Sequence, residues 1–161
     1  MIITTVLFNL ADADPAQQAR LETAHRETVS LPGAALTQRI QRLTTDHGRE
    51  LGLRLPSCSP DLRDGDVLVL DGDGAVVVSV LPTDVLVIAP STLRQGLFTA
   101  HSLGNRHLQA QFFEDDEEWG HAVMVVQYDH TVQAFLDSHV VPYSRHERVI
   151  SEPFRHAEHT H

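Results

Sequence analysis

Histidine is the residue type best placed to do chemistry in this chain. Eleven histidines occur among 161 residues, nearly as many as the twelve cationic side chains, all of which are arginine. Only His25 and His47 lie in residues 1–90; the other nine lie beyond, while each of these two stretches carries a formal charge of −5. The enrichment is therefore local and not a general surface bias. Imidazole binds nickel, copper and zinc or moves protons. His101 and His107 bracket the end of a helical pattern, His130 follows Tyr128-Asp129, and His156, His159 and His161 fall in the last six residues. These six are the candidate metal ligands. No thiolate set or dense carboxylate set accompanies them, which argues against a closed structural zinc site. Each has a plain alternative: a satisfied turn residue at His107, a solvent-facing helix residue at His101, a helix-start residue bonded to Asp129 at His130, a solvated ending for the last three.

Other chemistries find no support. No serine sits in a Gly-x-Ser-x-Gly elbow. Cys58, the single cysteine, lies in a Ser-Cys-Ser-Pro turn and reads as an ordinary thiol; it excludes an intramolecular disulfide and paired-cysteine metal motifs. The absence of lysine removes Schiff-base, pyridoxal-phosphate and P-loop chemistry. A net charge of −10 repels phosphate backbones, so no nucleic-acid partner is expected. If Asp71 opened a calcium loop, its sixth and twelfth positions would be Val76 and Pro82 instead of glycine and glutamate. No catalytic residues, and no enzyme, are expected.

The elements that must position the histidines follow from patterning. Residues 1–8 read as a first strand and not a basic leader, and no apolar run reaches the ~18 residues of a membrane helix. No membrane association and a cytoplasmic location are expected. A polar helix is expected from Asp14 to about His25, then short strands from Leu36 onward with turns at Asp46-His47-Gly48 and Asp64-Gly65-Asp66. Asp71-Gly72-Asp73-Gly74 links Val67–Leu70 to Ala75–Val80 as a hairpin. After a break at Leu81–Asp84 come a strand (85–89), a helix capped by Ser91 and stopped by Gly104, a strand (108–113), an acidic solvated turn (114–118), a strand (122–127), a helix capped by Asp129, and a last strand (140–150). The expected fold class is α+β: a β-rich N-terminal domain over 1–81, a ferredoxin-like βαββαβ domain over 82–150, and a flexible His-containing tail over 151–161.

His101-Ser102-Leu103-Gly104-Asn105-Arg106-His107-Leu108, with Tyr128-Asp129-His130 twenty residues on, resembles the signature of the UreE family, urease accessory proteins that act as nickel metallochaperones. Gln38–Gly48 is similar to that family's arginine-rich strand and Thr-Asp-x-Gly turn, and Leu51–Pro56 and Leu62–Leu68 follow in its order. The resemblance runs from about Leu36 to the tail and is poor over residues 9–30. It implies a peptide-binding-like first domain and a metal-binding second domain that forms a homodimer. It implies His107 at the dimer interface as principal Ni2+ ligand, with His130 and the tail histidines auxiliary; Zn2+ or Cu2+ would bind the same donors. Implied partners are the urease apoprotein and its accessory proteins, including the accessory GTPase. Tyr128 stands where some members carry a further histidine, which weakens a copper-type site there. A buffering storage protein for nickel or zinc, and a metal-free interaction module, are the alternatives from other classes.

Overall fold

In a computed structural model, residues 1–72, 74–150, 153 and 154 are described. They form two compact units: Met1–Leu81 with Val149, Ile150 and Pro153, and Pro82–Arg148 with Phe154.

The first unit is built on two sheets. β1 (Ile2–Ile3), β5 (Glu50–Arg54) and β4 (Ile40–Thr44) form one, in the order β1-β5-β4. β2 (Phe8–Asn9), β6 (Asp66–Asp71), β7 (Gly74–Val80) and β3 (His25–Leu31) form the other, in the order β2-β6-β7-β3. Ile3, Leu43, Leu51 and Leu53 of the first sheet share one buried cluster with Val29, Leu31, Val69, Val76 and Val78 of the second. The alternation of apolar and polar residues along β5 puts Leu51 and Leu53 into that cluster while Glu50 and Arg54 stay exposed. The expected single opening strand is two short strands in different sheets, because the chain between them leaves one sheet for the other.

The expected helix is α1 (Pro15–Thr23), closed by a capping box in which Gln17 N donates to Asp14 and Asp14 N donates to the Gln17 side chain. It stops short of His25. His25 instead opens β3, which sequence patterning does not show: its first half is polar, and it forms as a strand by pairing in parallel with the apolar β7 from His25↔Gly74 to Leu31↔Val80. The aspartates around Gly65 act as turn formers. Asp66 accepts from Asn9 Nδ2 at 2.9 Å and Arg63 N at 2.8 Å, and Asp64 accepts from Val80 N at 2.8 Å. Gly65 has φ +80°, which glycine adopts without strain.

The second unit runs β8 (Thr83–Ile88), α2 (Leu93–Gly104), β9 (Ala110–Phe113), β10 (Val123–Gln127), α3 (His130–Ser138) and β11 (Tyr143–Arg148). Its sheet order is β11-β8-β10-β9 with every pair antiparallel, the ferredoxin-like arrangement expected. Leu86, Ile88, Met124 and Val126 of the sheet pack with Leu103 of α2 and Val132 and Leu136 of α3. Three local expectations shift. β8 begins at Thr83, inside the expected break, because Thr83 and Asp84 pair with Arg148 and Glu147. Thr92, not Ser91, caps α2, its hydroxyl accepting from Gln95 N at 3.2 Å. The acidic turn is not simply solvated: Asp116 is buried and bonded to Arg148 at 2.9 Å, and Glu118 accepts from Ser144 and His146 at 2.8 Å each.

Candidate metal centre

The end of α2 sets His107. Gly104 is the helix's last residue and does not stop it by a left-handed turn of its own; Asn105 caps the helix in right-handed geometry. The chain then turns through Arg106 N→Leu103 O at 3.0 Å and His107 N→Gly104 O at 2.9 Å. His107 itself takes the left-handed conformation, φ +56°. Non-glycine residues adopt it at a cost of ~1–2 kcal/mol. Its imidazole is exposed, and the chain enters the edge strand β9 three residues on, at Ala110. Sequence reading stops the helix at Gly104; the left-handed residue is three positions on, at the candidate ligand.

His107 lines a recess of about 300 Å3 together with Gln127, Tyr128, Asp129 and Phe154. Tyr128 is fixed from two sides: its hydroxyl donates to Gln133 Oε1 at 3.1 Å, and the Arg145 guanidinium lies 3.5 Å from its ring centroid. Arg145 is itself clamped by both Asp84 oxygens, at 3.0 and 2.6 Å. Those hydrogen bonds hold the Asp84 carboxyl below the usual carboxylate range.

Asp129 caps α3, accepting from Thr131 N at 2.7 Å, Val132 N at 3.2 Å and the Thr131 hydroxyl. The Thr131 hydroxyl and these amides push its carboxyl below the ordinary range. Asp129 is thus a charged helix cap at the rim of the recess, and its bonds go to Thr131 and Val132 instead of to His130, which is exposed on the first turn. His101 is exposed one turn before the end of α2, and Asn105 Nδ2 lies 3.2 Å from its Nε2. That amide engages a lone pair a metal would use.

Among the described residues no three histidine, cysteine or carboxylate side chains converge to hold an ion. His101, His107 and His130 sit on one unit but do not form a single cluster. His156, His159 and His161 lie outside the described residues.

Two further features stand beside these candidate ligands. His139, just past α3, packs on Phe135 at a centroid distance of 4.3 Å and on Phe98 at 5.2 Å, while Arg106 stands 5.2 Å over Phe135. The spacing of Phe135 and His139, four apart on and beyond a helix, is the signal that could have paired them. The second feature is the α2 face that patterning assigns to Leu93, Leu97 and Ala100, whose two leucines the structure leaves exposed. Leu93 is 80% and Leu97 64% exposed, and Phe112 of β9 is 70% exposed. At helical spacing Leu93 and Leu97 continue to His101 and Gly104, so the stripe leads toward the His107 turn.

Residues 3–81 match the family model described as UreE urease accessory protein, N-terminal domain. Over its whole length the chain is 60% identical to the urease accessory protein UreE of Pseudarthrobacter chlorophenolicus, with all of both proteins covered. The corresponding proteins of Micrococcus luteus and Kocuria rhizophila are 58% and 55% identical, again with full coverage of both. The chain belongs to the UreE family. The likeness reaches the N-terminal stretch as well: residues 9–30, poorly matched by motif, fall inside the UreE N-terminal domain. Their polar α1 and half-polar β3 carry no short signature, which is why motif reading stopped at Leu36. Among the described residues of this UreE chain no helix is long and apolar enough to cross a membrane.

Proposed function

We propose that this chain is a nickel carrier for urease maturation, and that it works as a homodimer in which two copies of His107 share one Ni2+. The supporting observation is an exposed imidazole held in a strained left-handed turn at the end of an apolar helix stripe, in a chain of the UreE family. Backbone strain of this kind persists where the surroundings enforce it, and it clusters at functional sites.

A single exposed imidazole holds a divalent ion weakly. A two-fold axis duplicates it without a second motif. The occupant proposed for the α2–β9 face is therefore a second copy of the chain. That face carries a recess of about 460 Å3 bordered by Leu93, Leu97, Phe112, Phe113 and Met124. Burying such side chains contributes ~25 cal/mol per Å2 of apolar surface. The tail histidines 156, 159 and 161 complete the coordination, with His130 and His101 as outer donors. The division into domains 1–81 and 82–150 and a tail 151–161 belongs to the same proposal, as does a cytoplasmic location.

An open, nitrogen-rich site suits delivery. Its outer ligands can leave one at a time, passing the ion to the urease apoprotein and its accessory proteins, among them the accessory GTPase. The chain binds and hands over metal and catalyses no covalent step. Zn2+ and Cu2+ compete for the same imidazoles, copper most strongly, so selectivity rests on supply and partners. Metal-bound imidazole must be neutral, so protons compete with the ion and affinity falls as pH drops.

Titration calorimetry with Ni2+ tests the assignment. His107→Ala is expected to abolish the tightest nickel equivalent, one per two chains; an unchanged isotherm overturns it.

A further inference from the structure

His25 and His47 lie outside the candidate metal centre. They are 22 residues apart, in the first unit, and both side chains are exposed. Yet His25 Nε2 and His47 Nδ1 stand 3.0 Å apart, with ring centroids at 4.7 Å.

Backbone bonds hold them there. β3 is an edge strand, and the turn after β4 docks on it: Asp46 N donates to Thr28 O at 2.9 Å, and Thr28 N donates to Asp46 Oδ1 at 2.9 Å. Within the turn, Gly48 N donates to Thr45 O at 2.9 Å and Arg49 N donates to the Thr45 hydroxyl at 3.1 Å. Gly48 has φ +79°, so the turn closes without strain. His47 is thereby aimed at the first residue of β3.

We propose that His25 and His47 form a second metal site, a two-imidazole chelate for a late first-row divalent cation, in the unit that does not contain His107. The geometry is the main support. Metal–imidazole bonds of ~2.0–2.1 Å at a right angle separate the two nitrogens by about 2.8–3.0 Å. The two nitrogens, 3.0 Å apart in their hydrogen bond, already stand near the spacing a chelated cation needs, so small ring rotations bring both lone pairs onto one ion.

The surroundings are negative. The Glu27 carboxylate, on the same face of β3 as His25, accepts from the Thr45 hydroxyl at 2.6 Å and pairs with Arg49 at 3.5 Å. Asp46 is held by Thr28 N. Both carboxylates feel His47. They supply field, while water fills the remaining coordination positions. The bond between the two neutral rings uses one N–H. On metal binding, that proton moves to the other nitrogen of the same ring, Nδ1 of His25 or Nε2 of His47, and both facing lone pairs turn to the ion with no proton released.

Cu2+ alone, the strongest binder of imidazole in the series, is the probe. In calorimetric titration of the full chain, His25→Ala and His47→Ala are each expected to remove the same Cu2+ equivalent or weaken it at least tenfold. His107→Ala is expected to retain it, which separates this site from the nickel site proposed above. In amide NMR spectra of the His107→Ala variant titrated with Cu2+, residues 25–28 and 45–49 should broaden, and a further His25→Ala change should abolish that broadening. Isotherms of the two variants superimposable on the unmodified chain, or amides at 25–28 and 45–49 that stay sharp, would overturn the proposal.

Discussion

Replacing His107 by glycine separates fold from function at the candidate centre. The residue has φ +56°, and its side chain is exposed, so removing it loses no buried surface. The turn's hydrogen bond, His107 N→Gly104 O at 2.9 Å, belongs to the backbone and survives the change. Relief of the left-handed conformation returns ~1–2 kcal/mol. Glycine gives back about 0.5–1 kcal/mol through the freer unfolded chain. The net expectation is a gain of about 0–1.5 kcal/mol. For a unit of this size each kcal/mol moves Tm by about 4–8 °C. His107→Asn should be close to neutral, because asparagine tolerates this conformation. His107→Val, branched at Cβ, should lose at least ~1 kcal/mol. Urea and thermal unfolding read all three, and a nickel titration of the same samples reads the site. The glycine variant should be as stable as the parent or more so, and should have lost its tightest nickel equivalent. A glycine variant less stable by more than about 1 kcal/mol would refute the reasoning, because His107 would then be holding the turn together.

Three further expectations follow from the same residues. Deleting residues 155–161 removes the three tail histidines and leaves Phe154 in place; nickel affinity or stoichiometry should fall in calorimetry while sedimentation still reports a dimer, and a monomer would make the tail structural. Leu97→Asp puts a charge on the exposed α2 stripe and should shift sedimentation toward monomer with the circular dichroism spectrum unchanged; an intact dimer would move the interface elsewhere. Asp116 is buried against Arg148, and that hydrogen bond holds its carboxyl below the ordinary range. A lowered folded-state value contributes stability above the unfolded value near ~3.9 and loses it as pH falls through the lower folded one. Asp116→Asn should therefore lose roughly 1–3 kcal/mol at neutral pH and flatten the decline in stability below about pH 4, as followed by urea unfolding against pH.

The second unit was legible because its signals are local. Asp129 before an apolar helical pattern, and alternating strands around it, state α3 and its neighbours outright. The hairpin of β6 and β7 is equally plain, with Asp-Gly between two valine-rich runs. β3 was not legible, because its His-Arg-Glu-Thr half becomes a strand only through the long-range partner β7. Asp116 and Glu118 looked solvated because their partners, Arg148, Ser144 and His146, lie 26–32 residues away. At the candidate site the sequence names His107 but not its left-handed conformation, since histidine carries no local signal for it. The proximity of His25 and His47 is likewise a product of tertiary pairing, with one residue at a strand start and the other in a tight turn.

Crystals of the nickel-loaded full chain, measured across the nickel absorption edge, test the central claim most directly. The account predicts an anomalous peak on a molecular two-fold axis, with an imidazole nitrogen of His107 from each protomer at ~2.1 Å. A nickel peak away from that axis, with both His107 rings unliganded, would contradict it.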